Sequence, residues 1–144
     1  MGKTVLRGHK VSKGKTEGEA LVSQKPISFM YSINPETGMI KEKGHELEGK
    51  CIAEKILVYP VGKGSSAGSY RLYEMLRNKT SPKGIINLRA DPVDATGAIF
   101  CDIPMMDRLD GNPLELIKTG DYVELDADRG IVTVGGHPPQ NIQP

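Results

Sequence analysis

The segment that most constrains this chain is Ile56-Leu57-Val58-Tyr59-Pro60-Val61, a nearly unbroken apolar run rich in branched side chains. A strand that is apolar on both faces has to lie buried inside a sheet, because neither face can be left to water. The run leads into Gly62-Lys63-Gly64-Ser65-Ser66-Ala67-Gly68-Ser69 and then into Tyr70, Leu72, Tyr73 and Leu76, whose spacing predicts an amphipathic helix. Buried strand, small polar turn and helix therefore follow one another directly. Ser65, Ser66 and Ser69 sit in the crook of that turn. A turn of this kind can bind an anion, hold a reactive hydroxyl or cap the helix.

The rest of the chain reads as short strands with few helices. "TVLRGHKV" (4–11) and "EGEALVS" (17–23) alternate partially around the turn-like "SKGKT". "ISFMYSI" (27–33) is predicted as extended chain, because Pro26 favours an extended entry. "NPETG" (34–38) is a turn, and "KEKGHELEGK" (41–50) a polar loop broken by glycine. "GIINLR" (84–89) predicts a second buried strand, "DPVDATGAIFC" (91–101) a short helix, and "IPMM" (103–106) a return to the sheet. "DYVELDADRGIVTV" (121–134) predicts a hairpin around Asp-Arg-Gly. No repeat or low-complexity segment interrupts this order. The expectation is a mixed α/β, strand-rich fold: a single domain over 1–135 and a flexible C-terminal tail over 136–144, too proline-rich and too poor in apolar residues to pack.

Composition narrows the function. With 144 residues, 38% of them apolar, no Trp and two Phe, the core must come mainly from Ile, Leu, Val, Ala and Met. A net charge of +1, with both signs scattered along the chain, argues against a nucleic-acid partner, which needs a basic face to displace counterions. No apolar stretch is long enough for a membrane span, and the N-terminus lacks the apolar core of a signal peptide, so the expected compartment is the cytoplasm. In that compartment Cys51 and Cys101 are expected as reduced, buried thiols. Two thiols cannot hold an iron–sulfur cubane, so no metal site is expected here, and any cluster would sit on another chain.

Known loop motifs fit the serine turn poorly. A P-loop needs Ser or Thr after Gly62-Lys63 and a glycine five residues upstream, but the chain has Gly64 and Leu57 there. Gly62, Gly64 and Gly68 are spaced one residue too far apart for the dinucleotide fingerprint. Gly64-Ser65-Ser66-Ala67-Gly68 does match GxSxG, yet a hydrolase needs a downstream histidine, and only His137 in the tail qualifies. Capping and anion binding remain open. So does a serine acting as a base, its alkoxide held by amides and cations while a Lewis-acid metal removes a hydroxyl from the adjacent carbon.

"GKGSSAGS" after a hydrophobic strand resembles the active-site loop of the aconitase swivel domain, in the aconitase X branch. The resemblance extends through "GHKVSKGKTEGEALVSQKPISFMYSINPETGMI", "GHELEGKCIAEKILVYPVGKGSSAGS", "IPMMDRL" and "TGDYVELDADRGIVTV", from about Gly8 to Val134. It implies a swivelling β/β/α domain that serves as the small subunit of a heteromeric hydro-lyase. The partner implied is an aconitase-like large catalytic subunit carrying an iron–sulfur cluster of [4Fe-4S] type, and the substrate is small and anionic. For free-standing small subunits, typical of archaea, the implied reaction converts (R)-5-phosphomevalonate to trans-anhydromevalonate 5-phosphate in isoprenoid synthesis. A related branch dehydrates cis-3-hydroxy-L-proline. The rival from another class is a non-catalytic swivelling binding or scaffold domain.

Carried over by position, the resemblance makes Ser65 the proton-abstracting base. Gly64, Ser66 and the amides after them would steady its alkoxide or a substrate carboxylate. Aconitase proper has an arginine where this chain has Ala67, which disfavours citrate and isopropylmalate and leaves Lys63 as the nearest cation. Ser28, in "PISFMYS", is a second candidate for the cleft, with a local strand hydrogen bond as its plainer role. Arg89 and Asp91 are expected as a surface ion pair and His45 as a solvated or capping residue; His9 and His137 carry no assignment. Ile103, Met105 and Met106 are expected in the core or an interface.

Overall fold

The computed structural model describes residues 3–135, so the expected tail over 136–144 lies outside the described residues. The strands are β1 (Thr4–Arg7), β2 (His9–Ser12), β3 (Lys15–Val22), β4 (Ile56–Tyr59), β5 (Gly84–Asn87), β6 (Met105–Asp107), β7 (Tyr122–Asp126) and β8 (Ile131–Val134), with helices α1 (Gly68–Asn78), α2 (Pro92–Phe100) and α3 (Pro113–Leu116). The eight strands form one sheet in the order β1-β8-β7-β3-β4-β5-β6-β2. Its two outermost strands, β1 and β2, are consecutive in the chain and separated only by Gly8. The sheet therefore rolls back on itself into a nearly closed barrel, which leaves little open edge. Gly8 tolerates no side chain at that seam, since a Cβ would lie 2.3 Å from Leu109 Cδ2 and 2.9 Å from the Asp107 carbonyl.

Within this sheet β3, β4, β5 and β6 run parallel, and the remaining pairings are antiparallel. The alternation of side chains across β4 explains its uninterrupted hydrophobicity. Leu57 and Tyr59 join one core with Leu72 and Met75 of α1 and Ala98 of α2. Ile56 and Val58 face a second core with Val123, Leu125 and Val132 from the antiparallel half. Successive residues are divided in the same way at Ile85 and Ile86 and at Met105 and Met106, all fully buried, as the core reading of the methionines anticipates. Each such side chain contributes about 1.5–3 kcal/mol of burial, so the parallel strands anchor both cores at once.

The segment 27–33 departs from the extended reading. It is built of turns, and within the segment only Ile27 and Ile33 make isolated bridges, to Gly62 and Ile40. Its serines explain the difference. Ser28 N–H donates to Ser32 Oγ (3.0 Å), Ser32 N–H to the Ser28 carbonyl (2.8 Å), and Tyr31 N–H to Ser28 Oγ (3.0 Å). These local bonds satisfy the backbone that a strand would otherwise offer to a neighbour. Ile27, Phe29 and Ile33 are still buried, so the apolar residues point inward without strand geometry.

The helix predicted from 91–101 forms as α2. The Asp91 side chain accepts from the Val93 and Asp94 amides at 3.0 and 3.4 Å, and Pro92 follows at the first helical position. The expected Arg89–Asp91 ion pair is absent among the described residues, because this carboxylate caps a helix instead. Asp91→Ala should lower stability by about 1 kcal/mol, read as a lower urea midpoint with an unchanged slope. The two cysteines are free, as expected of reduced thiols, but only Cys101 is buried; Cys51 is half-buried. No helix among the described residues is long and apolar enough to cross a membrane.

Candidate active site

The carboxyl ends of parallel strands are where α/β sheets place their ligands. Here β3 runs out into Ser23–Ser28, β4 into the glycine–serine loop, and β5 into Arg89–Asp91. The first two of these connections are stitched together. Ile27 N–H donates to the Val61 carbonyl at 3.4 Å, and Lys63 N–H donates to the Ile27 carbonyl at 3.1 Å. The third reaches the same edge, where the Leu88 and Arg89 amides donate to the Pro60 carbonyl at 3.0 and 3.3 Å.

Ser28 and the serine loop, far apart in sequence, meet at Gly64. Its φ is +101°, and a Cβ there would lie 2.8 Å from Ser28 Oγ and 3.3 Å from Tyr31 Cδ2. Ser28 is 2% exposed. It makes local hydrogen bonds, within turns rather than a strand, and forms the floor under the loop.

Ser65 is half-buried, and its Oγ accepts the Ala67 amide at 3.0 Å while its carbonyl accepts Gly68 N–H at 3.0 Å. An amide aimed at a hydroxyl oxygen strengthens its bond as that oxygen gains negative charge, so it favours the alkoxide. Helix α1 begins three residues later with no acidic side chain in its first turn, which keeps the local field favourable to an anion. The capping expectation is corrected in part. Ala67 is the residue at the helix start and gives no side-chain cap, while Ser69 hydroxyl donates to the Val93 carbonyl at 2.6 Å, tying α1 to α2. Ser66 is exposed beside Ser65.

Lys63 is not the free cation that its neighbourhood suggests. Its ammonium pairs with Glu42 at 2.9 Å, and Glu42 also accepts the Ser32 hydroxyl at 2.5 Å. The Ser32 hydroxyl and then the Lys63 ammonium hold the Glu42 carboxyl below its ordinary range. Arg71, one turn beyond Ala67, is likewise engaged, with Glu74 at 3.3 Å and the Ile33 carbonyl at 3.4 Å. His45, expected as solvated or capping, is buried. Its Nδ1 accepts Leu47 N–H at 3.0 Å in a local cap, and Nε2 lies 3.2 Å from the Pro26 carbonyl. A bond of each kind fits the neutral ring carrying its proton on Nε2.

The sequence reading missed Asp94. This carboxylate lies under Gly62, and its Oδ2 accepts the hydroxyl of fully buried Tyr59 at 2.6 Å. The signal was present in the spacing, because Asp94, Gly97 and Ala98 fall on one face of α2 and small residues mark the face that packs closely.

An iron–sulfur centre finds no home in these side chains. Among the described residues no group of three or more His, Cys, Asp or Glu could hold a metal ion.

Comparison with known proteins agrees with this architecture. The sequence model of the aconitase X swivel domain matches residues 5–134. A protein named phosphomevalonate dehydratase small subunit from Methanocella arvoryzae is 46% identical over 127 residues, covering 88% of this chain and 96% of that protein. One of the same name from Thermococcus kodakarensis is 47% identical over 129 residues, covering 90% and 95%. The crystal structure of Thermococcus kodakaraensis aconitase X in its holo-form superposes with a TM-score of 0.86 at 46% identity, over 91% of this chain and 98% of that one. With the rolled sheet, the serine loop at its parallel edge and a match spanning almost every described residue, the chain belongs to the aconitase X swivel domain family.

Proposed function

We propose that this chain, with 1–135 as its swivelling unit, is the small subunit of a two-subunit hydro-lyase, phosphomevalonate dehydratase, and that Ser65 is its general base. The observation that carries the reading is the Ser65 oxygen itself, half-buried at the parallel edge of the sheet and already accepting the Ala67 amide. That geometry lowers the cost of an alkoxide able to take a proton from carbon. The identity of 46–47% with proteins named as this enzyme's small subunit supports the choice of substrate. The product would be trans-anhydromevalonate 5-phosphate.

In this reading Gly64, Ser66 and the amides that follow bind the anionic substrate around Ser65. Ser28 supports Gly64 from below, and Lys63 reaches substrate by exchanging its Glu42 partner for the incoming anion. The iron–sulfur cluster, of [4Fe-4S] type, belongs to an aconitase-like large subunit, and so does departure of the hydroxyl. The complex is cytoplasmic. Co-expression with the large subunit should give a complex that dehydrates (R)-5-phosphomevalonate, whereas this chain alone should be inactive. Turnover of cis-3-hydroxy-L-proline in place of the phosphate ester would reassign the substrate, and full activity of the isolated chain would remove the need for a partner.

The surface beside the loop suits such a partner. Tyr70 and Phe100 are 71% and 70% exposed, and Tyr73 bridges them, its ring 6.5 Å from Tyr70 and 5.3 Å from Phe100. Exposed aromatic clusters mark interaction surfaces, and this one starts directly after Ser69, on the helix that the serine loop opens. A large subunit facing Ser65 would meet it. The double change Tyr70→Glu with Phe100→Glu should raise the Kd for the large subunit by about 30-fold or more, leaving the isolated chain as stable as before. An unchanged Kd by calorimetry places the contact elsewhere.

A further inference from the structure

Beneath the serine loop lies a buried polar cluster that the proposed chemistry does not use. Tyr59, the last residue of β4, is fully buried and donates its hydroxyl to Asp94 Oδ2 at 2.6 Å. Asp94, in the first turn of α2, is 4% exposed. Asn87 ends β5 directly opposite Tyr59 in register. Its Nδ2 donates to the Tyr59 carbonyl at 3.0 Å, and its Oδ1 is buried without a hydrogen-bond partner. A buried carboxylate with a single hydroxyl donor is an expensive arrangement, and so is the unsatisfied amide oxygen of Asn87. An apolar residue at 94 would pack at lower cost, so the carboxylate calls for another explanation.

Its position supplies one. A Cβ on Gly62 would lie 2.3 Å from Asp94 Oδ2, 2.8 Å from Cγ and 3.1 Å from Oδ1. The loop backbone therefore rests on the carboxylate itself, three residues before Ser65. The preceding residue of α2 braces the far side of the loop. The Val93 carbonyl accepts the Ser69 hydroxyl at 2.6 Å, and Val93 Cγ1 lies 3.3 Å from where a Gly68 Cβ would be. Consecutive residues, Val93 and Asp94, thus hold both ends of Gly62–Ser69.

We propose that Asp94, oriented by Tyr59, is a positioning residue for the serine loop and that gaining or losing its proton resets the loop and hence the aim of the Ser65 hydroxyl. The part concerning Ser65 rests on the reading of that serine as the base; the coupling of Asp94 to the loop does not. Burial pushes the Asp94 carboxyl up to about 7, with the Tyr59 hydrogen bond opposing and the Asp91 carboxylate adding to the rise. Tyr59 of β4 and Asp91 of α2 are the titratable groups that bear on it. Tyr59 itself, raised well above its usual range by burial, keeps its proton throughout. Because the folded carboxyl holds its proton more tightly than the ordinary 3.8, stability is greatest while Asp94 is protonated and falls as pH rises from about 4 to about 7.

The test follows amide resonances in the isolated full-length chain across about pH 5.5 to 8.5. In the wild type, the amides of Gly62, Lys63 and Gly64 should shift together with a midpoint near 7. Asp94→Asn keeps the shape and the Tyr59 bond but cannot titrate, so the shift should vanish. Tyr59→Phe removes a bond that favours the anion and should move the midpoint upward; this variant keeps the test open if Asp94→Asn does not fold. Loop amides that ignore pH, or that titrate equally in Asp94→Asn, overturn the coupling. In the reconstituted complex, Asp94→Asn should lower kcat by about tenfold with little change in KM and erase the step near 7 from the pH profile. Loop titration in a complex whose turnover survives Ser65→Ala would retain the coupling and sink the base.

Discussion

Replacing Ser65 by Ala is expected to lower kcat of the assembled two-subunit enzyme by roughly 10²- to 10⁴-fold, the range a positioned general base supplies. On the barrier scale that is about 3–5 kcal/mol. KM should change little, because the group removed acts on a proton in transit rather than on bound substrate. The folded state loses one hydrogen bond from the Ala67 amide at a half-buried site, which costs about 0.5–1.5 kcal/mol. That loss is far too small to mimic the kinetic effect through unfolding, so urea denaturation run alongside the assay separates the two. The Ser66→Ala variant is the natural comparison, since Ser66 is exposed and stands next in the loop. A large drop at Ser65 and a modest one at Ser66 supports the assignment. Near-normal turnover without the Ser65 hydroxyl moves the base to another residue.

What the sequence made legible follows from which forces are local. The apolar runs at Ile56–Tyr59 and Gly84–Asn87 became central strands because a residue type that must be buried on both faces has few other solutions. The hairpin at 121–134 was legible for the same reason, since alternation and a turn both lie within the segment itself. The failure at 27–33 shows the limit. Composition alone cannot reveal that Ser28 and Ser32 bond to each other rather than to a neighbouring strand.

The site divides along the same line. Ser65 was singled out as a candidate from its own loop, with the family resemblance choosing among the roles that the residues left open. The contact of Ser28 with Gly64 joins residues 36 positions apart and exists only after β3 and β4 have paired in parallel. Asp94 is similarly remote, 35 residues from Tyr59. Its meaning depends on Gly62 and Tyr59, and nothing near 94 in the sequence points to either. Lys63 was legible as a cation but not as one already held by Glu42, because that partner comes from a loop 21 residues upstream.

Gly64→Ala is the second change with a large expected effect, and it tests the loop rather than its hydroxyl. At φ +101° an alanine is strained, and its Cβ would have to occupy space 2.8 Å from Ser28 Oγ. The strain alone costs about 1–3 kcal/mol. The floor cannot yield cheaply, because Ser28 is held by Tyr31 N–H at its hydroxyl and by Ser32 at its backbone. Displacement of the loop is the remaining outlet, and Ser65 is the adjacent residue. A shift of about 1 Å in a catalytic group lowers turnover on the order of 10²-fold, so kcat should fall by that factor although every candidate catalytic side chain is still present. Gly120 provides the control, with φ +99° and nothing within 4 Å of the place a Cβ would take. Gly120→Ala carries the same backbone strain without the collision and should lower the urea midpoint while leaving kcat near wild type. If the two alanines reduce kcat equally, general destabilisation explains the loss; if neither does, Ser65 does not depend on the path of the loop that presents it.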